Sequence, residues 1–131
     1  MKKAAYLVLG LVAAGLVVED VVTQNSIWPL VIVGAIAPDL TLLAGMAPGL
    51  ERGQIHPRGV PFYNAVHRFW APAVLVVVSL FLAPYWTAFG LAWIAHIAFD
   101  RGLGFGLRSP EGFQRRAKIP SPAASGDRGR S

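Results

Sequence analysis

Long apolar runs separated by short polar breaks make up most of this chain. Ala4–Val18 is uncharged, and extending it to about Val22 places Glu19 and Asp20 at its far end. Thr23–Ile27 reads as a short polar turn. Trp28–Ala47 is the second run, with Asp39 as its one charge. Pro48–Pro61, rich in glycine and proline, reads as a loop. From Phe69 to Phe99 there is no charged residue, a stretch too long for one membrane span and tight for two. Ala83-Pro84-Tyr85-Trp86 is its natural turn. It divides the stretch into a third segment, Phe62–Pro84, and a fourth that opens with Tyr85–Phe99. A span needs about 20 residues, so these two helices must take in their polar ends, Phe62–Arg68 and His96–Leu107.

The pattern predicts an all-α, four-helix transmembrane bundle over residues 1–113. A basic tail follows over 114–131, carrying Pro120, Pro122 and several Arg, and expected to be disordered from about Ile119. Met1-Lys2-Lys3 before an apolar core also resembles the opening of a signal peptide. Val17-Val18-Glu19-Asp20 is a poor small-residue cleavage site, so the segment reads as a retained first span.

Composition sharpens this reading. The chain is 54% hydrophobic and 15% charged, against about 25% charged for a soluble domain, so its first partner is the lipid bilayer. Cysteine is absent, which excludes disulfides and thiolate metal sites. The net charge of +5 could indicate nucleic acid, but the basic residues lie between apolar runs and not along one face, so no nucleic-acid partner is expected. Lys2 and Lys3, the loop with Arg52 and Arg58, and the tail all prefer the cytoplasm. The Glu19–Asp20 and Ala83–Trp86 turns carry no basic residue. Four spans of the inner membrane with both termini cytoplasmic satisfy every segment, and the tail is placed to meet anionic lipid.

That topology brings the polar residues to one level. Asn64, His67, His96 and Asp100 fall at the cytoplasmic ends of helices three and four, and Asp39 lies in the cytoplasmic half of helix two. His96 and Asp100 are four apart and share a helical face, as do Asn64 and His67, three apart. Asp39 follows Pro38, which frees a backbone carbonyl and tends to kink a helix. An ionisable group inside a span indicates a functional site by default, although a buried carboxyl bonded to loosened backbone also fits. Two histidines and two carboxylates from three helices are a ligand set for a divalent metal: zinc, manganese or iron. Tyr63 and Asn64 are placed to support the ligands, and Arg68 and Arg101 to attract an anionic head group. His56, in Ile-His-Pro-Arg, reads as an exposed loop histidine. A structural His96–Asp100 hydrogen bond and a boundary pair at Asp100-Arg101 remain alternatives, and Gly102-x-Gly104-x-Gly106 matches no nucleotide-binding loop.

Ala37-Pro38-Asp39-Leu40, Tyr63-Asn64-x-x-His67 and above all Ala95-His96-Ile97-x-x-Asp100-Arg101-x-Leu103-Gly104-x-Gly106-Leu107 resemble a family of small bacterial integral membrane proteins, domain of unknown function 4260. The resemblance covers Trp28–Phe113 and implies a four-span inner-membrane protein. The layout is more distantly similar to membrane-bound metal-dependent hydrolases. Two functions follow as expectations: a metal-dependent hydrolase-like site acting on a lipid-linked or phosphorylated substrate, or a non-enzymatic protein of transport, proton relay or assembly. In the second, the cluster is a hydrogen-bond network. A polar channel toward Glu19–Asp20 would favour the second; a pocket open only to the cytoplasm would favour the first.

Overall fold

The structure, a computed structural model, describes residues 2–114. It is all-helical, and among the described residues the only extended pairing is an isolated bridge between Arg108 and Gln114. Four helical rods form the bundle. The first is α1 (Lys2–Thr23). A 3-10 turn at Asn25–Ile27 leads into α2 (Trp28–Leu40), which continues as a 3-10 segment, Thr41–Gly45. The third rod opens with a 3-10 turn at Pro57–Gly59 and is interrupted, as α3 (Val60–Val66) and α4 (Trp70–Leu82). The fourth is α5 (Trp86–Leu103).

Three stretches are long and apolar enough to cross a membrane: Lys2–Thr23, Asn25–Gly45 and Pro57–Leu82. Their outward faces carry large apolar side chains such as Leu11, Ile32, Val77 and Phe81, which suits a lipid solvent. Helix α5 differs: it carries His96, Asp100 and Arg101, and it sits in the middle, packed against α1, α2 and α4. Its buried positions are small, with Ala88, Gly90, Ala92, Ala95, Ala98 and Gly102 among them. The least apolar rod thus occupies the place that lipid reaches least, and small side chains let its neighbours close on it. A Cβ on Gly34 of α2 would lie 2.5 Å from the Phe89 carbonyl oxygen, and one on Gly90 would lie 2.7 Å from Val76 of α4. Gly10 of α1 lies under the Phe99 ring, and Gly102 faces Leu7.

These contacts set the directions. Leu7 lies by Gly102 and Gly10 by Phe99, so α1 runs antiparallel to α5. Gly34 by Phe89 and Ala35 by His96 make α2 parallel to it. Ser79 bonds Thr87 at 2.8 Å and Trp93 bonds the Val66 carbonyl at 2.7 Å, so the third rod is antiparallel. One end of the bundle therefore gathers Lys2, Lys3, Arg52, Arg58, Arg68, Arg101 and Arg108, and the other holds Glu19 and Asp20. Trp28, Tyr85 and Trp86 are exposed at the acidic end, where interfacial aromatics belong.

Two expected rods are not uniform. The run from Trp28 is α-helical to Leu40, with Pro38 in its last turn supplying no N–H to the Gly34 carbonyl, and it continues as a 3-10 segment to Gly45. The third segment breaks at His67–Phe69. Pro72 is the cause: it has no N–H for the Arg68 carbonyl and crowds it, so the helix restarts with Pro72 in its first turn. Carbonyls at the break are taken up by α5 side chains, Val66 by Trp93 Nε1 and His67 by Arg101 at 3.2 Å. Helix α5 stops at Leu103, short of the expected Leu107, because Gly104 adopts φ +97° and closes the end with bonds to Asp100 and Arg101 carbonyls.

After α5 the chain folds back over the basic end. Ser109-Pro110-Glu111-Gly112 turns, and the Gly112 carbonyl accepts from Ile55 N–H at 3.0 Å. Gln114, assigned by composition to the tail, bonds the Tyr63 hydroxyl at 3.0 Å and the Gly106 N–H at 3.1 Å. The rest of the tail, and with it the expected disorder and lipid contact, lies outside the described residues.

Candidate metal centre

Four side chains from three rods converge at the basic end of the bundle. Asp39 comes from the last turn of α2, His67 from the break between α3 and α4, and His96 and Asp100 from consecutive turns of α5. One ligand atom from each lies within 4.8 Å of all the others. The break matters here. It lets the chain turn at His67, and it buries that ring to 2% exposure.

Each imidazole is held by its Nδ1. His67 Nδ1 lies 2.8 Å from the Tyr63 carbonyl oxygen, and His96 Nδ1 lies 2.7 Å from that of Ala35. A carbonyl only accepts, so each Nδ1 carries the hydrogen and each Nε2 of the neutral ring presents a lone pair. Tyr63 also stacks its ring on His67 at 3.8 Å between centroids, with 16° between planes. Both Nε2 atoms are buried without a hydrogen-bond partner.

What they face is carboxylate oxygen. His96 Nε2 is 3.2 Å from Asp39 Oδ1 and 3.3 Å from Asp100 Oδ2; His67 Nε2 is 3.4 Å and 3.6 Å from the same two atoms. A charge-assisted N–H to carboxylate bond is shorter, about 2.7–2.9 Å. Each Nε2 facing two carboxylates at these distances needs positive charge between them, either a proton on the ring or a bound cation. Ligands at about 2.0–2.2 Å around a tetrahedral ion are separated by roughly 3.3–3.6 Å, since an edge is ~1.63 times the bond. The four His–Asp separations fall close to that range, while the widest separation within the set reaches 4.8 Å, so the four are gathered around one point without forming a regular tetrahedron. The donor set, two imidazoles and two carboxylates, suits zinc, manganese or iron, and its two negative charges balance a dication. The backbone-bonded Nδ1 atoms are the outer support that metal-ligating histidines ordinarily have.

The site is open on one side. The His96 and Asp100 side chains are 11% and 28% exposed, and that of Asp39 is 51% exposed. Asp39 was weighed from sequence as a buried carboxyl; its place at the end of the rod leaves it accessible instead.

Around the four, Tyr63 is in direct contact with His67, through carbonyl and ring. Asn64 turns away: its amide bonds both the N–H and the carbonyl of Arg108, at 2.7 Å and 3.0 Å. Arg101 lies over the Phe69 ring and holds the His67 carbonyl, so it fixes the break. Arg68 is exposed. His56 stands apart, its Nδ1 accepting from Arg58 N–H at 3.1 Å in a loop turn. Arg108 had no expected role, yet it is buried, bonds the Gly53 and Gly112 carbonyls at 3.0 Å and 2.9 Å, and sits 4.8 Å over the Tyr63 ring. Ser109-Pro110-Glu111-Gly112, with proline and glycine at turn positions, was the available signal that this segment folds back.

An all-helical membrane bundle with a partly open His/Asp cluster at its basic end is the class of protein that fold and site define. The chain belongs to the family described as domain of unknown function (DUF4260), which matches residues 5–117. The match reaches past the Trp28–Phe113 stretch that carried the resemblance and takes in most of α1. No curated protein and no solved structure matches the chain.

Proposed function

We propose that the protein is a metal-dependent hydrolase of the bacterial cytoplasmic membrane, with its site at the cytoplasmic face and a lipid-linked or phosphorylated substrate. The orientation rests on the charge asymmetry of the bundle, with Lys and Arg gathered at the cluster end and Glu19 and Asp20 opposite. One observation carries the chemistry: two buried, unpartnered Nε2 atoms face two carboxylates at 3.2–3.6 Å, and one ligand atom from each of the four residues lies within 4.8 Å of the others. A dication held by His67, His96 and Asp100 would keep a position open, where it would polarise a phosphoryl oxygen and favour ionisation of a water near neutral pH. His67, His96 and Asp100 hold the rigid side of the shell. Asp39, the most accessible carboxylate of the four, would then act as the base that takes the proton from that water. Arg68, exposed beside the site, attracts the anionic head group.

The rival function needs a polar path through the bundle. The cavity that leads from the cluster toward the acidic end is lined by alanine and valine, which favours the enzyme. The test is phosphomonoester hydrolysis by protein reconstituted in phosphatidylcholine vesicles and loaded with zinc, manganese or iron. Hydrolysis that depends on the metal and is lost in Asp100→Asn is expected. Equal rates in wild type and Asp100→Asn under every metal would overturn the reading.

A further inference from the structure

A cavity of about 410 Å³ lies between α1 and α2 over the surface of α5. That is within the usual range of small-molecule sites, about 300–1,000 Å³. Ala14 and Val17 of α1, Val31 and Ala35 of α2, and Ala92, Ala95 and the larger Phe99 of α5 form its walls. His96 and Asp100, both members of the cluster, are the polar groups on its lining. From Ala92 to Asp100 the floor rises about 12 Å along α5. The mouth is bordered by Val18, which is 60% exposed on a surface of apolar side chains.

A ligand that fits this shape has a narrow apolar body and a polar group at one end. It enters sideways from the hydrocarbon of the bilayer. Its polar end arrives at His96 and Asp100, and through them at the cluster they share with Asp39 and His67, which accepts an anion only across a cation. We infer that the cavity seats one hydrocarbon chain of a lipid phosphate ester and delivers its head to the His/Asp cluster. This deepens the function proposed above and rests on it for the metal. Ala92 and Ala95 on the floor and Ala14 and Ala35 on the walls leave room for a chain beside Phe99, and bulkier residues at those positions would close it.

The experiment uses the full chain in phosphatidylcholine vesicles, a trace of a long-chain alkyl phosphate with a diazirine at the chain end, photolysis, and peptide mapping. Metal content is measured on the same samples. Label is expected to concentrate on residues 14–18 and on Val31, above the background on the lipid-facing Leu11 and Ile32. Unlabelled alkyl phosphate should displace it, and the alcohol of the same chain length should not. Ala14→Phe and Val31→Phe fill the cavity from different helices without touching a ligand, and each should cut the groove label about tenfold while metal content stays as in wild type.

Groove label no higher than on Leu11, or unchanged in both variants with metal retained, overturns the inference. Equal displacement by the alcohol also overturns it, since the cluster would then play no part in anchoring the head. Selective label in a protein that holds no metal supports the groove and removes the metal reading instead. The two failures are thus told apart.

Discussion

Gly34→Ala should weaken metal binding although Gly34 is not a ligand. The added methyl would lie 2.5 Å from the Phe89 carbonyl oxygen and 3.2 Å from the Phe89 Cα and carbonyl carbon. These are backbone atoms in mid-helix and cannot swing aside. Ordinary contact begins near 3.5 Å, so α2 must back away from α5 by roughly 1 Å. The next residue, Ala35, holds His96 Nδ1 at 2.7 Å. The same displacement stretches that bond to about 3.7 Å, beyond a hydrogen bond. Asp39 rides on the same helix and moves away from His96, now 3.2 Å distant. Overpacking of this kind costs about 1–3 kcal/mol, and loss of the outer support of a metal ligand costs about 10–100-fold in affinity. The assay is zinc affinity by chelator competition in detergent, with thermal unfolding alongside. Gly15→Ala is the control, since a methyl there meets nothing within 4 Å. Wild-type zinc affinity in Gly34→Ala would refute the claim that helix spacing at Gly34 sets the geometry of the site.

Other predictions follow from the same contacts. Arg101→Met leaves the His67 carbonyl without its donor, at a cost of about 1–3 kcal/mol; zinc affinity should fall with it, and a calorimetric titration that shows no change would exclude a positioning role. Ser79→Ala with Thr87→Val, run as a double-mutant cycle by thermal unfolding, should give a coupling of about 0.6 kcal/mol and leave metal affinity alone, because the pair lies toward the acidic end. Acid protonates the Nε2 atoms that would bind the metal, so affinity should fall as the medium is acidified; a pH-independent affinity in a chelator titration would mean that the histidines are not ligands.

Much of this architecture was legible in the residues. The apolar runs and their turns foretold four rods, and the distribution of Lys and Arg put Asp39, His67, His96 and Asp100 at one level. Antiparallel neighbours with short turns then leave those residues few places to go except together. The central place of α5 was less visible. Its alanine and glycine positions at 88, 90, 92, 95, 98 and 102 are the mark of a helix enclosed by others, but by length and hydropathy it is not among the three stretches apolar enough to cross a membrane. Pro72 was a readable cause of the break at His67–Phe69, masked by the apolar run on either side. Arg108 was harder, because its burial depends on Asn64, Gly53 and Gly112 meeting across three separate segments. The cavity could not be read at all, since it is a gap left by three helices and not a property of any one of them.

Metal content tests the central claim most directly. Wild type, His96→Ala and the Gly15→Ala control would be purified in detergent and assayed by elemental mass spectrometry, with circular dichroism to show that the bundle remains helical. The account predicts about one zinc, manganese or iron per chain in wild type and control, and loss of it in a still-helical His96→Ala. Wild type without metal, or His96→Ala with as much metal as wild type, would contradict it.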